Sequence, residues 1–364
     1  MPTQNNITEL FFALVRCGIG KDKSLPYTPT PTQWQEMFDI AKKQTLVGIT
    51  FAGIEKLPTE QRPPKPIMLQ WYSLCEIIKK QNNDLDKKVV VVSQKFKEEG
   101  FNNCILKGQG IALLYPNPQL RTPGDIDIWL DGGDKKVITY VKKVIPDCSP
   151  TYHHVDFSIS NDVDIEVHYR PSWMCNPFTN RKIQKFFAMN ADTQFKNMAE
   201  TPSGAFPIAT VAFNRIFILQ HIFRHLFFEG IGIRQILDYY FVMQQPMSEN
   251  ERERYIGQLK NFGLYRFAGA VNYVMHKMFA LDKAHTFVEP NRKEGEFLMH
   301  EIMTAGNFGK YDKRYISTRR GFNVAHMSNL AKRTFALLRH YPSEIMWDPG
   351  FRIWHYFWRK SHKS

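Results

Sequence analysis

Asp125 and Asp127 flank an isoleucine in G-D-I-D-I-W-L (124–130), a stretch whose alternation predicts a β-strand. Residues i and i+2 of a strand share a face, so both carboxylates point one way while Ile126 and Ile128 point into a core. Two carboxylates held ~5–7 Å apart repel, and they are tolerated best with a cation between them. Mg2+ (or Mn2+) suits such a pair, because hard divalent ions take oxygen ligands and are commonly shared between carboxylates and substrate phosphates. Standing alone, a D-x-D pair is also what an ordinary exposed strand produces by chance.

Three further features sit close by in the sequence. V-D-I-E-V-H (163–168) puts Asp164, Glu166 and His168 on one face of a later strand, which makes a third carboxylate available. Three carboxylates from two strands can hold two ions, one acidifying an attacking hydroxyl and the other neutralising a leaving pyrophosphate. In L-K-G-Q-G, residues Lys107, Gly108, Gln109 and Gly110 form a glycine turn at a helix start, an anion site with a lysine beside it. Arg121, four residues before Asp125, is placed to take a phosphate bidentately. Each has a plain structural reading: a surface lysine, a loop salt bridge to either aspartate, a solvated glutamate. Their conjunction in one short unit is what favours a site.

Other polar residues are open to two readings. His221 and His225 share a helical face at a spacing that suits a metal. Their helix is apolar and holds no acidic third ligand, which favours buried, hydrogen-bonded histidines. A functional alternative has His225 or Asp238 contacting an acceptor or base, while Arg224, Arg234 and Asp238 equally form an internal ion-pair network. His168 flanks the carboxylates. His153 and His154 read as ordinary strand residues, and Tyr115-Pro116 as shaping a loop.

The elements that must position these groups follow from punctuation and periodicity. Residues 1–100 read as helical: Thr30-Pro31-Thr32-Gln33 is a capping box, apolar residues recur at helical spacing to about Lys56, and a longer helix runs from about Ile67 to Glu99 before Gly100. Residues 101–170 read β-α-β-α-β-β, with strands at 101–107, 125–130, near 152–160 and at 163–169, and a hairpin turn at Asn161-Asp162. From about residue 206 the pattern is helical again, and 207–228 is apolar nearly throughout. The expectation is an α+β chain in three parts: an N-terminal helical segment (1–100), a small mixed sheet with helices on it (101–200), and a C-terminal helical domain (201–364).

Composition narrows the setting. Five scattered cysteines (Cys17, Cys75, Cys104, Cys148, Cys175) without C-x-x-C spacing fit a reduced cytoplasmic protein and show neither a disulfide framework nor a structural zinc. No apolar run approaches the ~20 residues of a membrane span, and no signal peptide is visible at the N-terminus. The net charge is +13, and residues 310–364 hold 12 Lys/Arg against 3 Asp/Glu, with Trp347, Phe351, Trp354, Phe357 and Trp358 between them. That segment reads as a closing helix with inward aromatics, as a nucleic-acid contact, or as a membrane-surface element.

The run L-K-G-Q-G-I-A-L-L-Y-P-N-P-Q-L-R-T-P-G-D-I-D-I resembles an uncharacterised bacterial nucleotidyltransferase family of the polymerase-beta-like superfamily. I-E-V-H-Y-R (165–170) is similar to that family's later strand, and H-I-F-R-H…I-R-Q-I-L-D (221–238) to its helices. The resemblance covers about 100–240. It implies an αβ nucleotidyltransferase core that transfers NMP from an NTP, with Asp125, Asp127 and Glu166 as catalytic, metal-holding carboxylates and Lys107, Gly108, Gln109, Gly110 and Arg121 at the nucleotide. The acceptor stays unnamed: protein, RNA or small molecule. One departure is that the superfamily's Gly-Ser turn is here Lys107-Gly108-Gln109-Gly110, with no hydroxyl. An inactive or repurposed member that binds nucleotide, nucleic acid or a partner is the alternative. A D-x-D glycosyltransferase is disfavoured, since it calls for a longer Rossmann-like unit before the motif and no later carboxylate.

Overall fold

The computed structural model describes residues 4–157, 163–312 and 324–363. Helices α1 (Gln4–Gly18), α2 (Pro31–Lys43), α3 (Val47–Lys56) and α4 (Lys65–Glu98) come first. Strand β1 (Asn103–Leu106), helix α5 (Gly108–Ala112), β2 (Ile126–Leu130), α6 (Gly133–Val144), β3 (His154–Asp156) and β4 (Ile165–His168) follow. Helix α7 (Pro177–Lys196) and the hairpin β5 (Met198–Thr201) and β6 (Gly204–Pro207) occupy a stretch where the sequence analysis places no element. The chain then runs through α8 (Val211–Phe228), α9 (Ile233–Met243), α10 (Glu249–Asn261), α11 (Tyr265–Phe279), α12 (Arg292–Ala305), α13 (Val324–His340) and α14 (Pro342–Lys363). The α+β class and the β-α-β-α-β-β order are as expected. The helical run to Lys56 is two helices, because Thr45 takes φ 54° between them. The turn expected at Asn161-Asp162 lies outside the described residues.

The larger sheet has the order β1-β2-β4-β3, with β2 and β4 parallel and the outer pairs antiparallel. Alternation divides its faces. Ile105, Ile126, Ile128, Val155, Ile165 and Val167 join one core with α6 and the C-terminal half of α4. Cys104, Leu106 and Trp129 face the other way, into the helical core. Asp127 shares that second face, two residues from Trp129, where the covering helices draw back to leave a cavity.

Helix α4 links the two cores. Trp71, Cys75 and Ile78 pack among the helices, whereas Leu85, Val89, Val92 and Phe96 pack on the sheet. The four-valine run is therefore helical, with Val89 and Val92 inward and Val91 exposed. The N-terminal helices do not stand apart, since residues of α1 to α3 share one apolar cluster with α8 to α12.

Helix α14 closes the chain with mixed aromatic surfaces. Phe351 stacks on Trp173 at 4.1 Å and Trp354 meets Tyr152 edge-on at 5.2 Å, while Trp347, Ile353 and Phe357 face outward. No helix among the described residues is long and apolar enough to cross a membrane. The helix is anchored by buried Glu344, which accepts the Cys175 N–H at 2.7 Å. Burial pushes the Glu344 carboxyl from its ordinary 4.5 up to about 7. Between those two values the folded chain keeps a proton that the unfolded chain has released, so stability falls as pH rises through this window. Glu344→Gln keeps an oxygen acceptor and removes the buried charge. It is expected to raise stability by roughly 1–3 kcal/mol at pH 8 and to leave it unchanged at pH 4 in urea denaturation.

Candidate active site

The sheet register brings the carboxylates together. Asp127 pairs with Leu106 of β1 on one side and with Glu166 of the parallel strand β4 on the other. His168 lies one step further along β4, and Asp125 immediately precedes β2. Asp125, Asp127 and Glu166 form one wall of a cavity of about 260 Å3 whose opposite wall is α8 and α9. Asp164, expected on the same face as Glu166, instead lines a neighbouring cleft with Asp125 and does not reach this cavity.

Positive groups answer the carboxylates. Lys107 Nζ lies 2.7 Å from Asp127 Oδ1. His168 Nε2 lies 2.9 Å from the same oxygen and 3.3 Å from Glu166 Oε2, while its Nδ1 faces the Arg170 carbonyl at 3.3 Å. Neither carboxylates nor a carbonyl can donate, so both ring nitrogens donate and His168 is an imidazolium. Burial works against its charge, but the bonds to Asp127 and Glu166 win and raise its pKa. In return, burial pushes the Asp127 and Glu166 carboxyls up, yet Lys107 and His168 hold both below the ordinary range. Asp125 lacks such a partner: the Asp127 charge, then burial, raises it to about 6.

The turn after β1 is arranged around Lys107, which takes φ 50° and ψ −134°. Gly108 and Lys107 line the cavity. Gln109 and Gly110 do not: Gln109 Nε2 donates to Asp86 at 2.5 Å, and Gly110 packs against Ile208. Helix α5 spans five residues, so its dipole adds little to anion binding.

Arg121 is placed differently from the phosphate role its position implied. Its Nε and Nη2 donate to the two Asp238 oxygens at 2.8 and 2.9 Å, and both side chains are buried. Tyr115 Oη donates to Asp238 as well, at 2.7 Å. Burial alone raises the Asp238 carboxyl; Arg121 and Tyr115 reverse this and hold it low. Arg234 Nη1 adds a bond to the Thr122 carbonyl at 2.8 Å. The loop delivering Asp125 is thus clamped to α9.

The α8 wall presents His221, Arg224 and His225. His221 and His225 meet Nε2 to Nε2 at 2.8 Å, and His225 Nδ1 lies 2.8 Å from Glu229 Oε2. Glu229, just beyond the helix, is the acidic neighbour that the sequence analysis overlooks; its i+4 spacing from His225 was the available signal. Burial, with help from Lys107 for His221 and Arg224 for His225, keeps both imidazoles neutral. Arg224 contacts His225 Nε2 at 3.3 Å through Nη2, and its buried Nε has no hydrogen-bond partner among the described residues. A guanidinium so placed, facing a cavity, is suited to an anion.

The donor set fits a hard divalent ion. Carboxylate oxygens of Asp127 and Glu166 fall within 4.8 Å of each other, and Asp125 adds further oxygens at the same cavity. The sequence profile of the uncharacterised nucleotidyltransferase family matches residues 30–280, more than half of the chain. The chain belongs to this family. No curated protein matches it. Among solved structures, an antigenic nucleotidyltransferase-like protein from Paracoccidioides brasiliensis is similar at 14% identity and a TM-score of 0.37, over 59% of this chain and 97% of that one. The family match takes in the carboxylate wall, the clamp and the α8 wall of this nucleotidyltransferase-family chain.

Arg121→Ala would leave Asp238 buried without its cation. It is expected to cost about 3–5 kcal/mol in urea or thermal unfolding. Arg121→Met combined with Asp238→Leu is expected to cost much less than the single change.

Proposed function

We propose that this cavity transfers a nucleoside monophosphate from an NTP to an acceptor hydroxyl. The observation carrying the reading is the register that seats Asp127 beside Glu166, with Asp125 at the strand entry, opposite a guanidinium in the same cavity. Asp125, Asp127 and Glu166 would hold Mg2+ or Mn2+, which supplies charge neutralisation at the phosphates and acidifies the attacking hydroxyl. Lys107 and Arg224 bind and orient the triphosphate, with the Gly108 backbone alongside. Glu166, at the edge of the carboxylate row, receives the hydroxyl proton. The acceptor oxygen bonds to the α-phosphorus, the bond from that phosphorus to the bridging oxygen breaks, and pyrophosphate leaves with that electron pair. His168 holds Asp127 and Glu166 in place through its paired bonds. The reduced cytoplasmic setting read from the cysteines suits an intracellular NTP.

The exposed aromatic and basic surface of α14 favours a second reading, in which a catalytically degenerate chain binds nucleic acid or a partner there. One experiment separates the two. Each of the four α-labelled NTPs is incubated with Mg2+ or Mn2+, with and without cell extract or RNA, and label transfer and pyrophosphate are scored. Wild type is expected to transfer label from at least one NTP, and the Asp125→Ala/Asp127→Ala variant to transfer none. Identical behaviour of the two with all four nucleotides overturns the reading. RNA affinity that survives Asp127→Ala, without pyrophosphate release, establishes the rival. Arg224→Ala is expected to lower kcat/KM for the NTP roughly 10–100-fold, the worth of a charge-assisted bond at ~1.5–3 kcal/mol.

A further inference from the structure

Helix α14 turns one apolar face out of the fold. Met346, Ile353 and Phe357 fall on a single stripe of it, two turns and then one turn apart. They are 72, 62 and 64% exposed. Trp347 and Trp354 border the stripe on one side, and Tyr356 and Arg359 on the other, all of them exposed. The helix is held by its opposite face, where Phe351 stacks on Trp173 and Trp358 packs against the sheet core. The outer stripe is therefore not what attaches α14 to the chain.

The charges of this helix are sorted as well. Its two acids are spent within the fold: Glu344 is buried, and Asp348 pairs with Arg352 at 2.8 Å. Arg359 and Lys360 are exposed and leave the C-terminal half of α14 positive. Lys360 Nζ lies 4.7 Å over the Tyr356 ring, at the edge of the apolar stripe.

Three occupants could cover an apolar stripe edged by cations, and its chemistry separates them. RNA stacks its bases on rings, and Met346 and Ile353 have none. A second copy would set the same positive segment against itself, 12 Lys/Arg against 3 Asp/Glu over residues 310–364. An anionic bilayer surface accepts every feature at once. Methionine, isoleucine and phenylalanine enter the acyl boundary, tryptophan and tyrosine settle at headgroup level, and arginine and lysine meet the lipid phosphates.

We propose that the outer face of α14 docks the chain peripherally on an anionic phospholipid membrane. The helix lies on such a surface and does not span it, since no described helix is long and apolar enough to cross a membrane. Docking needs no unfolding, because the inner aromatics keep their partners. Trp173, on which Phe351 stacks, also lies 5.9 Å from the Arg224 guanidinium, so one ring connects the docking helix to the candidate site. The proposal stands independently of the transferase reading.

The test is flotation of the full chain with vesicles of phosphatidylcholine alone or mixed equally with phosphatidylglycerol. Wild type is expected to bind the mixed vesicles about tenfold or more tightly than the neutral ones, and less tightly as salt rises. Ile353→Asp combined with Phe357→Asp is expected to weaken that binding by about tenfold or more. Arg359→Gln combined with Lys360→Gln is expected to remove most of the preference for anionic lipid. All four side chains are exposed, and circular dichroism with Tm verifies folding. No flotation of wild type, or equal flotation of wild type and the Ile353/Phe357 variant, overturns the proposal. RNA binding or self-association that this variant loses, in a wild type that does not float, overturns it in favour of the rival occupant.

Discussion

Several carboxylates crowded onto one half-buried sheet face are the constraint around which the rest of the cavity is arranged. Two unit charges ~4 Å apart interact by about 1 kcal/mol in water and several times that near a protein surface. Asp127 and Glu166 are neighbours in register, so their repulsion cannot be relieved by turning either away. The chain meets it with Lys107 from the turn after β1 and with His168 from β4, both fixed as cations by the acids they serve. Asp125 is left over, and its raised carboxyl marks where more positive charge would be most favourable.

Charge balance of this kind works only if the two walls are held at a fixed spacing. The loop from 115 to 124 does that. Asn82 of α4 donates to the carbonyls of Gln119 and Arg121, each at 2.9 Å, and Thr122 donates to the Thr45 carbonyl at 2.8 Å. Gly48 on α3 lies so close to the Leu120 carbonyl that a Cβ would sit 2.2 Å from its oxygen. Arg121 and Asp238 then carry the loop across to α9. A buried ion pair of this kind adds little net stability compared with apolar residues of the same shape. What it contributes is position: the entry to β2, and with it Asp125, is locked against the helix wall.

The fold was legible where local pattern decides it. The capping box at Thr30, the helix ending at Gly100, and the strand alternation of Asp125 to Leu130 depend on neighbours within a few residues, and each stands as read. Glu166 was reachable by the same alternation. Partners far apart in the chain were not. Arg121 finds Asp238 at a separation of 117 residues, and no local rule distinguishes that acid from Asp125 or Asp127. Gln109 sits in a glycine turn that resembles a phosphate cradle, yet Asp86 on α4 draws its side chain away. His154 read as an ordinary strand residue because alternation shows which face it occupies and not which strand lies beside it. Only the antiparallel pairing of β3 with β4 brings it to His168 and Glu166.

The turn without a hydroxyl bears on how the proposed reaction would hold its phosphates. A serine there would offer one neutral donor from the sheet wall. Lys107 lies at this turn in a conformation that costs a non-glycine residue roughly 1–3 kcal/mol. That backbone turn aims its ammonium at Asp127, so much of its charge is already committed to the carboxylates. Another guanidinium of the cavity lies on the other side, on α8, where Arg224 has an imidazole and an aromatic ring as neighbours. Phosphate recognition would then be divided between walls, the sheet supplying acids and the helix supplying the cation. In such a design the spacing between the walls, which the Arg121–Asp238 clamp fixes, would matter more than a hydroxyl in the turn.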